Sequence, residues 1–193
     1  MNDKKVIGKY KEYLRNHLSK KRYNHCLNVA NSAITLSKKY GADVDKAYVA
    51  GLLHDVAKEM PVEDQLRLVN SSDLDVSDVE KDAVALYHAV AGAEIIQSVF
   101  DIHDPEIIHA IRYHTVACKN MPKLSQIIYL ADLISDDRDY KDVKKMRKYA
   151  LQSLDRAMYE ALKFSMTDSV NKGNTIPEST LGAYNDFASI FKK

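Results

Sequence analysis

Four histidines and two aspartates in this sequence have the residue types and the spacing of a metal site. His54 and Asp55 are adjacent in the apolar stretch AYVAGLLHDVAK, and Asp132 lies in the apolar stretch IIYLADLIS. An unpaired carboxylate in an apolar interior costs several kcal/mol, so each aspartate needs a cation or several hydrogen bonds. Imidazole and carboxylate together suit iron, manganese or zinc better than calcium. We therefore predict one or two divalent ions, with three further ligands from His25, His88 and His114.

Other polar groups near these positions have simpler interpretations. Three histidines fall in polar or helix-surface contexts and are interpreted as non-ligands: His17, His103 and His109. The acidic run beside Arg138 is interpreted as a solvated helix end or loop, and it comprises Asp136, Asp137 and Asp139. Cys26 adjoins His25 but is expected to be a small buried hydrophobic residue rather than a reactive thiol.

Size and composition set the class of protein. A chain of 193 residues fits one compact domain spanning residues 1–193. Lys plus Arg number 28 and Asp plus Glu 27, so no broad charged face is available for nucleic acid or anionic lipid. Two cysteines are too few for a disulfide framework, the N-terminal stretch lacks the apolar part of a secretory signal, and the apolar runs are short. We expect a cytoplasmic protein that binds neither nucleic acid nor membrane.

The elements that must position these residues are predicted to be helices throughout. Apolar residues recur every three or four positions from Val6 to Leu18 and again from Tyr23 to the stop at Gly41. The stretch KAYVAGLLHDVAKEM is predicted as one helix that Pro61 stops. Later helices are predicted at PVEDQLRLVN, near His88, at Asp104-Pro105, near Pro122, as one long helix from about Tyr140, and after Pro177. NSSDLDVSDVEKDA and NKGNTIPEST are predicted as loops, and no period-two pattern indicates a sheet. The prediction is an all-α helical bundle.

Longer motifs around the candidate ligands carry a resemblance to a known family. The sequence contains RYNHCLNVA, YVAGLLHDVAKEMP, YHAVAGA, IRYHT, LSQIIYLADLISDDRDY and TIPESTLGAYN. In these motifs it resembles the HD superfamily of helical metal-dependent phosphohydrolases, and in particular the YqeK-type symmetrical bis(5'-nucleosyl)-tetraphosphatases. The resemblance covers nearly the whole chain. It departs where family members commonly have threonine and glycine, since this chain has Thr115-Val116-Ala117.

The resemblance implies a role for each candidate ligand. His25, His54, Asp55 and Asp132 would hold the principal ion, which in this family is expected to be iron, although manganese or another divalent ion also fits. His88 and His114 would face the substrate or hold a second ion. Asp55, His88 and His114 are the expected catalytic residues, and either histidine is suited to protonate a leaving group near neutral pH.

The implied substrate is diadenosine tetraphosphate, which would be split into two ADP. A bound divalent ion lowers the pKa of water toward about 7 and polarises a phosphoryl oxygen, which suits attack at an inner phosphorus. Three cations lie close in sequence to a ligand and are expected to contact phosphate: Arg22, Lys58 and Arg138. Further contacts to the nucleotide are expected from Thr175, Ile176, Pro177, Glu178, Thr180 and Tyr184.

Other functions use the same residues and stay open from sequence alone. A second HD nucleotide phosphohydrolase class would cleave a deoxynucleotide, an alarmone or a cyclic dinucleotide. An iron oxygenase can be built on the same helical scaffold, and a non-catalytic nucleotide sensor would need no turnover. If the protein is a phosphohydrolase, its expected partner is a small nucleotide or dinucleoside polyphosphate. Both a monomer and a homodimer are compatible with the sequence.

Overall fold

The computed structural model describes residues 4–192. This part of the chain forms eleven α-helices, a 3-10 helix at Val84–Leu86, and no β-strand, which confirms the all-α prediction. The helices are α1 Lys4–His17, α2 Lys20–Tyr40, α3 Val44–Leu53, α4 Val62–Ser71, α5 Asp78–Lys81, α6 Tyr87–Ser98, α7 Pro105–Arg112, α8 Lys123–Ile134, α9 Val143–Gln152, α10 Leu154–Asn171 and α11 Glu178–Ile190.

Several helix ends lie where the residue types place them. The carboxylate of Asp43 accepts hydrogen bonds from two backbone amides of the first turn of α3, and Asp104 does the same for α7. Pro105 follows Asp104 at the first helical position, where its missing amide hydrogen is not needed. Gly41 ends α2 in the left-handed conformation with φ of 67°. These ends confirm the predicted start of α7 and the predicted end of α2, while α3 begins at Val44, two residues before the predicted stretch.

The predicted helix around His54 and Asp55 is wrong in its length. α3 ends at Leu53, and the chain continues through turns in which Val56 donates to Leu53 O at 3.0 Å and Lys58 donates to Asp55 O at 2.9 Å. His54 keeps a helical backbone conformation, so the pattern of apolar residues does not distinguish this run of tight turns from a continuous helix. His54 and Asp55 therefore lie just beyond a helix end, not inside a helix.

Two other predicted elements are also corrected. The long helix expected from about Tyr140 is broken at Ser153, whose extended backbone (φ −154°, ψ 131°) separates α9 from α10 and whose hydroxyl caps α10. The polar stretch expected to be a loop contains α5, which begins with a capping box of Ser77 and Glu80. In both cases serine forms a local hydrogen bond that the apolar pattern does not reveal.

A buried core lies between α2, α3, α7 and α8, which pack against one another. Gly51 of α3 meets α2 so closely that a Cβ atom there would lie 2.9 Å from Ala30 Cα. The large side chains without appreciable exposure include Leu36, Leu52, Leu53, Ile107, Ile111, Ile127, Ile128 and Leu130. The close approach of α2 and α3 places His25 and His54 on neighbouring backbones.

One buried ion pair ties the segment before α6 to α7. Arg112 is 2% exposed and Glu80 is 4% exposed, and Arg112 Nη1 lies 2.8 Å from Glu80 Oε1. Arg112 Nη2 also donates to the backbone carbonyl of Asp75 at 2.5 Å. The pair therefore fixes residues 75–80, which lead through the 3-10 helix to His88. Within the described range, the helices are all too short or too polar to cross a membrane.

Candidate metal centre

Six side chains predicted as ligands converge at one buried point of the bundle. The first group comes from α2, from the end of α3 and from α8. His25 Nε2 lies 2.9 Å from Asp132 Oδ1 and 3.8 Å from Asp55 Oδ2, and His54 Nε2 lies 3.4 Å from Asp55 Oδ2. His25, His54 and Asp55 are each at most 4% exposed, and the Asp132 side chain is 21% exposed.

The second group shares Asp55 with the first. The other carboxylate oxygen, Oδ1, lies 3.3 Å from His88 Nε2 and 3.7 Å from His114 Nε2. The two Nε2 atoms are 3.2 Å apart. His25, His54 and Asp55 form one set with ligand spacing, and Asp55, His88 and His114 form another. Asp55 thus presents one oxygen to each set.

In their neutral forms, His54 and His114 each present the lone pair of Nε2 to the centre. His54 Nδ1 lies 2.8 Å from Gly51 O, and His114 Nδ1 lies 2.7 Å from Ile111 O. A carbonyl only accepts, so each Nδ1 holds the proton and each Nε2 presents a lone pair. His25 Nε2 and His54 Nε2 are buried and have no hydrogen-bond partner among residues 4–192.

These unpartnered nitrogens fit a divalent metal ion. Buried polar atoms in folded proteins almost always have a partner, and an atom left without one costs about 1–3 kcal/mol. Two such nitrogens face carboxylate oxygens, an arrangement of lone pairs that a cation stabilises. Nitrogen and oxygen donors in this mixture are those of iron, manganese or zinc sites.

Charge and burial shift the pKa values of these groups. Burial raises the pKa of Asp55, but the imidazoles of His54, His114 and His88 outweigh burial and hold it well below its usual range. Burial likewise raises the pKa of Asp132, but His25, His54 and Arg138 lower it by more. Burial and the neighbouring His114 lower the pKa of His88. Both carboxylates are therefore ionised at neutral pH, which is the form that binds a metal.

The three predicted phosphate-binding cations all lie at this centre. Arg22 Nη1 is 2.7 Å from Asp55 Oδ2, Arg138 forms an ion pair with Asp132, and Lys58 Nζ is 3.2 Å from His88 Nδ1. Burial lowers the pKa of Lys58. Arg22, Arg138 and His25 also line an open, polar cavity of about 740 Å³ together with Lys21 and Tyr140.

The predicted nucleotide loop lines a cavity separate from the one beside His25. Thr175, Ile176 and Pro177 line a cavity of about 180 Å³ with Leu86 and Thr115. Leu86 is two residues before His88, and Thr115 directly follows His114. The segments that carry His88 and His114 therefore contribute to the wall of this cavity, while His25 itself lines the larger one.

Of three residues predicted beside this loop, Thr180 lines the same cavity, whereas Tyr184 and Glu178 do not. Thr180 is 7% exposed, and its hydroxyl donates to Val116 O at 2.7 Å, so it holds the loop after His114. Tyr184 stacks on Tyr159 with ring centroids 5.9 Å apart and is not among the residues that line the cavity. Glu178 is exposed and also lies outside the cavity wall.

Asp137 is exposed in a loop, as predicted, but it also has a partner at the centre that the sequence analysis missed. Its Oδ2 atom lies 2.7 Å from His25 Nδ1, and its Oδ1 atom accepts from Asn28 Nδ2 at 3.1 Å. Burial raises the pKa of Asp137, but the hydrogen bonds with His25, Ser135 and Asn28 together with the charge of His25 lower it by more. Its position five residues after Asp132 was the signal in the sequence that could have indicated this contact. The two neighbouring acids, Asp136 and Asp139, are exposed as predicted.

Arg147 was also missed, and it donates three hydrogen bonds to carbonyls of the segment that holds Asp137. Of the histidines predicted as non-ligands, His17 and His103 are exposed. His109 is half-buried, and its Nδ1 lies 2.7 Å from Ser125 Oγ. Cys26 is fully buried, and burial raises the pKa of its thiol.

Comparison with known proteins matches this arrangement to a family. The HD domain family model matches residues 22–137. The symmetrical bis(5'-nucleosyl)-tetraphosphatase of Halalkalibacterium halodurans is 35% identical over 178 residues, which cover 92% of this chain and 95% of that protein. The Bacillus subtilis protein of the same name is 32% identical over 185 residues, covering 96% and 97%.

A solved structure agrees with the sequence relatives. It is a protein from Clostridium acetobutylicum described as a predicted HD superfamily hydrolase involved in NAD metabolism. The two structures superpose with a TM-score of 0.91 at 33% identity, over 95% of this chain and 97% of that one. With the family model and the full-length relatives, this shows that the chain belongs to the HD domain family.

Proposed function

We propose that this chain is a metal-dependent hydrolase that splits diadenosine tetraphosphate symmetrically into two ADP. One observation carries the proposal: relatives named for this activity align over more than nine tenths of the chain. Those relatives are named for this activity, and the histidine and carboxylate geometry of this chain suits the chemistry that the activity needs. We further propose that residues 1–193 act as a single HD-type unit.

His25, His54, Asp55 and Asp132 are proposed to hold the principal ion, and we propose iron as that ion. When bound, a divalent ion there supplies Lewis acidity, which lowers the pKa of a water molecule and polarises a phosphoryl oxygen. His88 and His114, with the second oxygen of Asp55, would face the substrate or hold a second ion. Both groups share Asp55, so the residues are compatible with one ion or with two. A metal titration of the purified protein measures how many ions bind.

The cations have a separate task. Charge develops on the phosphoryl oxygens and on the leaving diphosphate, and fixed cations stabilise such charge where water is excluded. Arg22 and Arg138 line the larger cavity beside His25, and Lys58 lies beside His88. We propose that these three side chains bind the polyphosphate and align its centre with the ligands. His88 and His114 would contact the leaving ADP, and donating a proton to it would require the doubly protonated form of one ring, which the lowered pKa of His88 disfavours for that residue.

The two cavities suit a substrate with two equal halves. The cavity lined by Arg22 and Arg138 is also lined by His25, and the cavity lined by Thr175 and Pro177 is also lined by Leu86 and Thr115, which are close in sequence to His88 and His114. We propose that one nucleotide enters each cavity and that the tetraphosphate crosses the metal centre between them. Attack at an inner phosphorus then leaves identical products. The reaction uses only a small-molecule partner and needs neither nucleic acid nor a membrane.

The test combines metal content with product analysis. Purified protein with its metal content measured is incubated with diadenosine tetraphosphate, a deoxynucleoside triphosphate, an alarmone and a cyclic dinucleotide, with and without oxygen. We expect ADP as the sole product from diadenosine tetraphosphate, at the same rate in both atmospheres. Release of ATP and AMP, or turnover of another substrate in its place, would refute the proposed reaction.

A pair of variants tests the site itself. Asp55→Ala removes the shared ligand and is expected to abolish turnover and metal retention while the helical content is kept. Asp73→Ala removes an exposed carboxylate elsewhere on the surface and is expected to behave as the native protein. Native turnover by Asp55→Ala would show that the chemistry lies elsewhere.

A further inference from the structure

The rings of His54 and His114 are held by helix ends. The last four carbonyls of an α-helix have no partner within the helix. Gly51 O belongs to the last four of α3 and accepts from His54, and Ile111 O belongs to the last four of α7 and accepts from His114. Each ring lies three residues after its acceptor, so the helix end itself fixes the ring and its proton.

His25 has no such acceptor close in sequence. It lies inside α2, where the carbonyls one turn earlier accept from backbone amides of the same helix. Its ring must find a partner elsewhere in the chain. Asp137 supplies it from 112 positions away, with Oδ2 at 2.7 Å from Nδ1. Asn28, one turn after His25 on the same helix, holds the other oxygen of that carboxylate at 3.1 Å.

We propose that Asp137 is a positioning residue for the metal centre, which orients the His25 ring and keeps its proton on Nδ1 so that Nε2 is free to bind the ion. This inference rests on the metal site of the proposed function and extends it to a residue outside the ligand set. Partners of this kind typically change metal affinity 10- to 100-fold when removed.

The segment that carries Asp137 is held in place by its own anchor. Arg147 of α9 donates from Nε to Ile134 O at 2.9 Å and from Nη2 to Ser135 O at 2.7 Å and to Arg138 O at 3.0 Å. Ile134 is the last residue of α8, so Arg147 serves its end carbonyl and brackets Asp137 on both sides. The carboxylate therefore reaches His25 from a fixed backbone, although its side chain is 37% exposed.

The experiment measures metal affinity in two variants of the full-length protein. Mn²⁺ binding is followed by competition with a fluorescent chelator in the native protein, in Asp137→Ala and in Asp139→Ala. Asp139 is exposed and lines the same cavity as Asp137, so its loss removes the same charge from the same wall. We expect Asp137→Ala to bind Mn²⁺ about 10- to 100-fold more weakly. We expect Asp139→Ala to stay within about twofold of the native protein, because it leaves the ring partner in place.

A second measurement separates positioning from a loss of fold. Ring-nitrogen NMR of the metal-free protein is expected to show His25 protonated on Nδ1 in the native form and in Asp139→Ala, but as a mixture of tautomers in Asp137→Ala. In Asp137→Asn the amide oxygen still accepts from Nδ1, so this variant should recover the native tautomer and part of the affinity. Metal-free melting temperatures are compared in parallel.

The results that would overturn the inference are specific. Native affinity in Asp137→Ala would do so, and so would an equal loss in Asp139→Ala or an unchanged His25 tautomer in Asp137→Ala. If the native protein itself binds no Mn²⁺ or Fe²⁺, the metal site of the proposed function fails. Native binding with unaltered variants refutes only the role of Asp137.

Discussion

Replacing Arg112 by methionine should destabilise the protein strongly. Arg112 and Glu80 are both nearly inaccessible to solvent, and they meet at 2.8 Å. Arg112→Met keeps most of the side-chain volume but leaves the Glu80 carboxylate buried without its cation. Removing one partner of such a pair typically costs about 3–5 kcal/mol. For a chain of 150–250 residues, each kcal/mol shifts the melting temperature by about 2–4 °C, so we expect a fall of about 6–20 °C.

The double variant and the pH dependence identify the cause. Arg112→Met combined with Glu80→Gln removes both charges and should recover most of the loss, because a buried ion pair contributes little beyond an uncharged replacement. Burial raises the pKa of Glu80, but Arg112 lowers it by more. The native pair therefore contributes stability above the unfolded pKa of about 4.5 and loses it as the pH falls through the lower folded pKa. The difference in free energy of unfolding between the native protein and Arg112→Met should therefore become smaller as the pH falls below about 4.5.

The assay is urea and thermal unfolding of the metal-free proteins, followed by far-UV circular dichroism at several pH values. Because the pair holds the segment that leads to His88, Arg112→Met should also raise the KM for the nucleotide more than the double variant does. The reasoning is refuted if the free energy of unfolding of Arg112→Met lies within about 1 kcal/mol of the native value. It is also refuted if the double variant is no more stable than the single variant.

Two further predictions follow from close packing and from burial. Gly51→Ala would place a Cβ atom 2.9 Å from Ala30 Cα and should lower the free energy of unfolding by about 1–3 kcal/mol, because α2 and α3 must move apart. Gly8→Ala has nothing within 4 Å of the new Cβ atom and should not destabilise the protein. Melting temperatures test both variants, and an unchanged melting temperature for Gly51→Ala would contradict the close approach. Burial raises the pKa of the Cys118 thiol to about 11. Its alkylation by iodoacetamide at pH 8 should therefore be roughly 100-fold slower than that of a free cysteine and should accelerate toward pH 11. Mass spectrometry of the labelled peptide measures the rate, and rapid labelling at pH 8 would disprove the prediction.

The convergence of the ligands could be predicted because buried carboxylates need partners. Asp55 and Asp132 stood out as charged residues in apolar stretches, and the spaced histidines offered a shared explanation. The helix start at Asp104 was equally predictable, since a side chain that accepts from backbone amides acts within a few residues of itself in sequence. These features depend on residues close to one another in sequence or on one strong physical requirement.

The remaining features depend on contacts between residues that are far apart in the sequence, and no local pattern indicates those contacts. Asp137 lies in an acidic run that is typical of a surface, and only the turn after α8 brings it to His25. The end of α3 at Leu53 was missed because tight turns and helix share the same backbone conformation there. Arg112 and Glu80 are separated by more than thirty residues, so neither charge could be recognised as buried before its partner was known.

Two of the imidazoles in this centre take their orientation from the point where a helix stops. Gly51 O and Ile111 O can accept from the rings because α3 ends at Leu53 and α7 ends at Arg112. If either helix continued for another turn, those carbonyls would accept from backbone amides and the rings would lose their anchor. The lengths of α3 and α7 therefore shape the centre as directly as the histidines do, and a redesign that kept every ligand but lengthened one helix would lose the site.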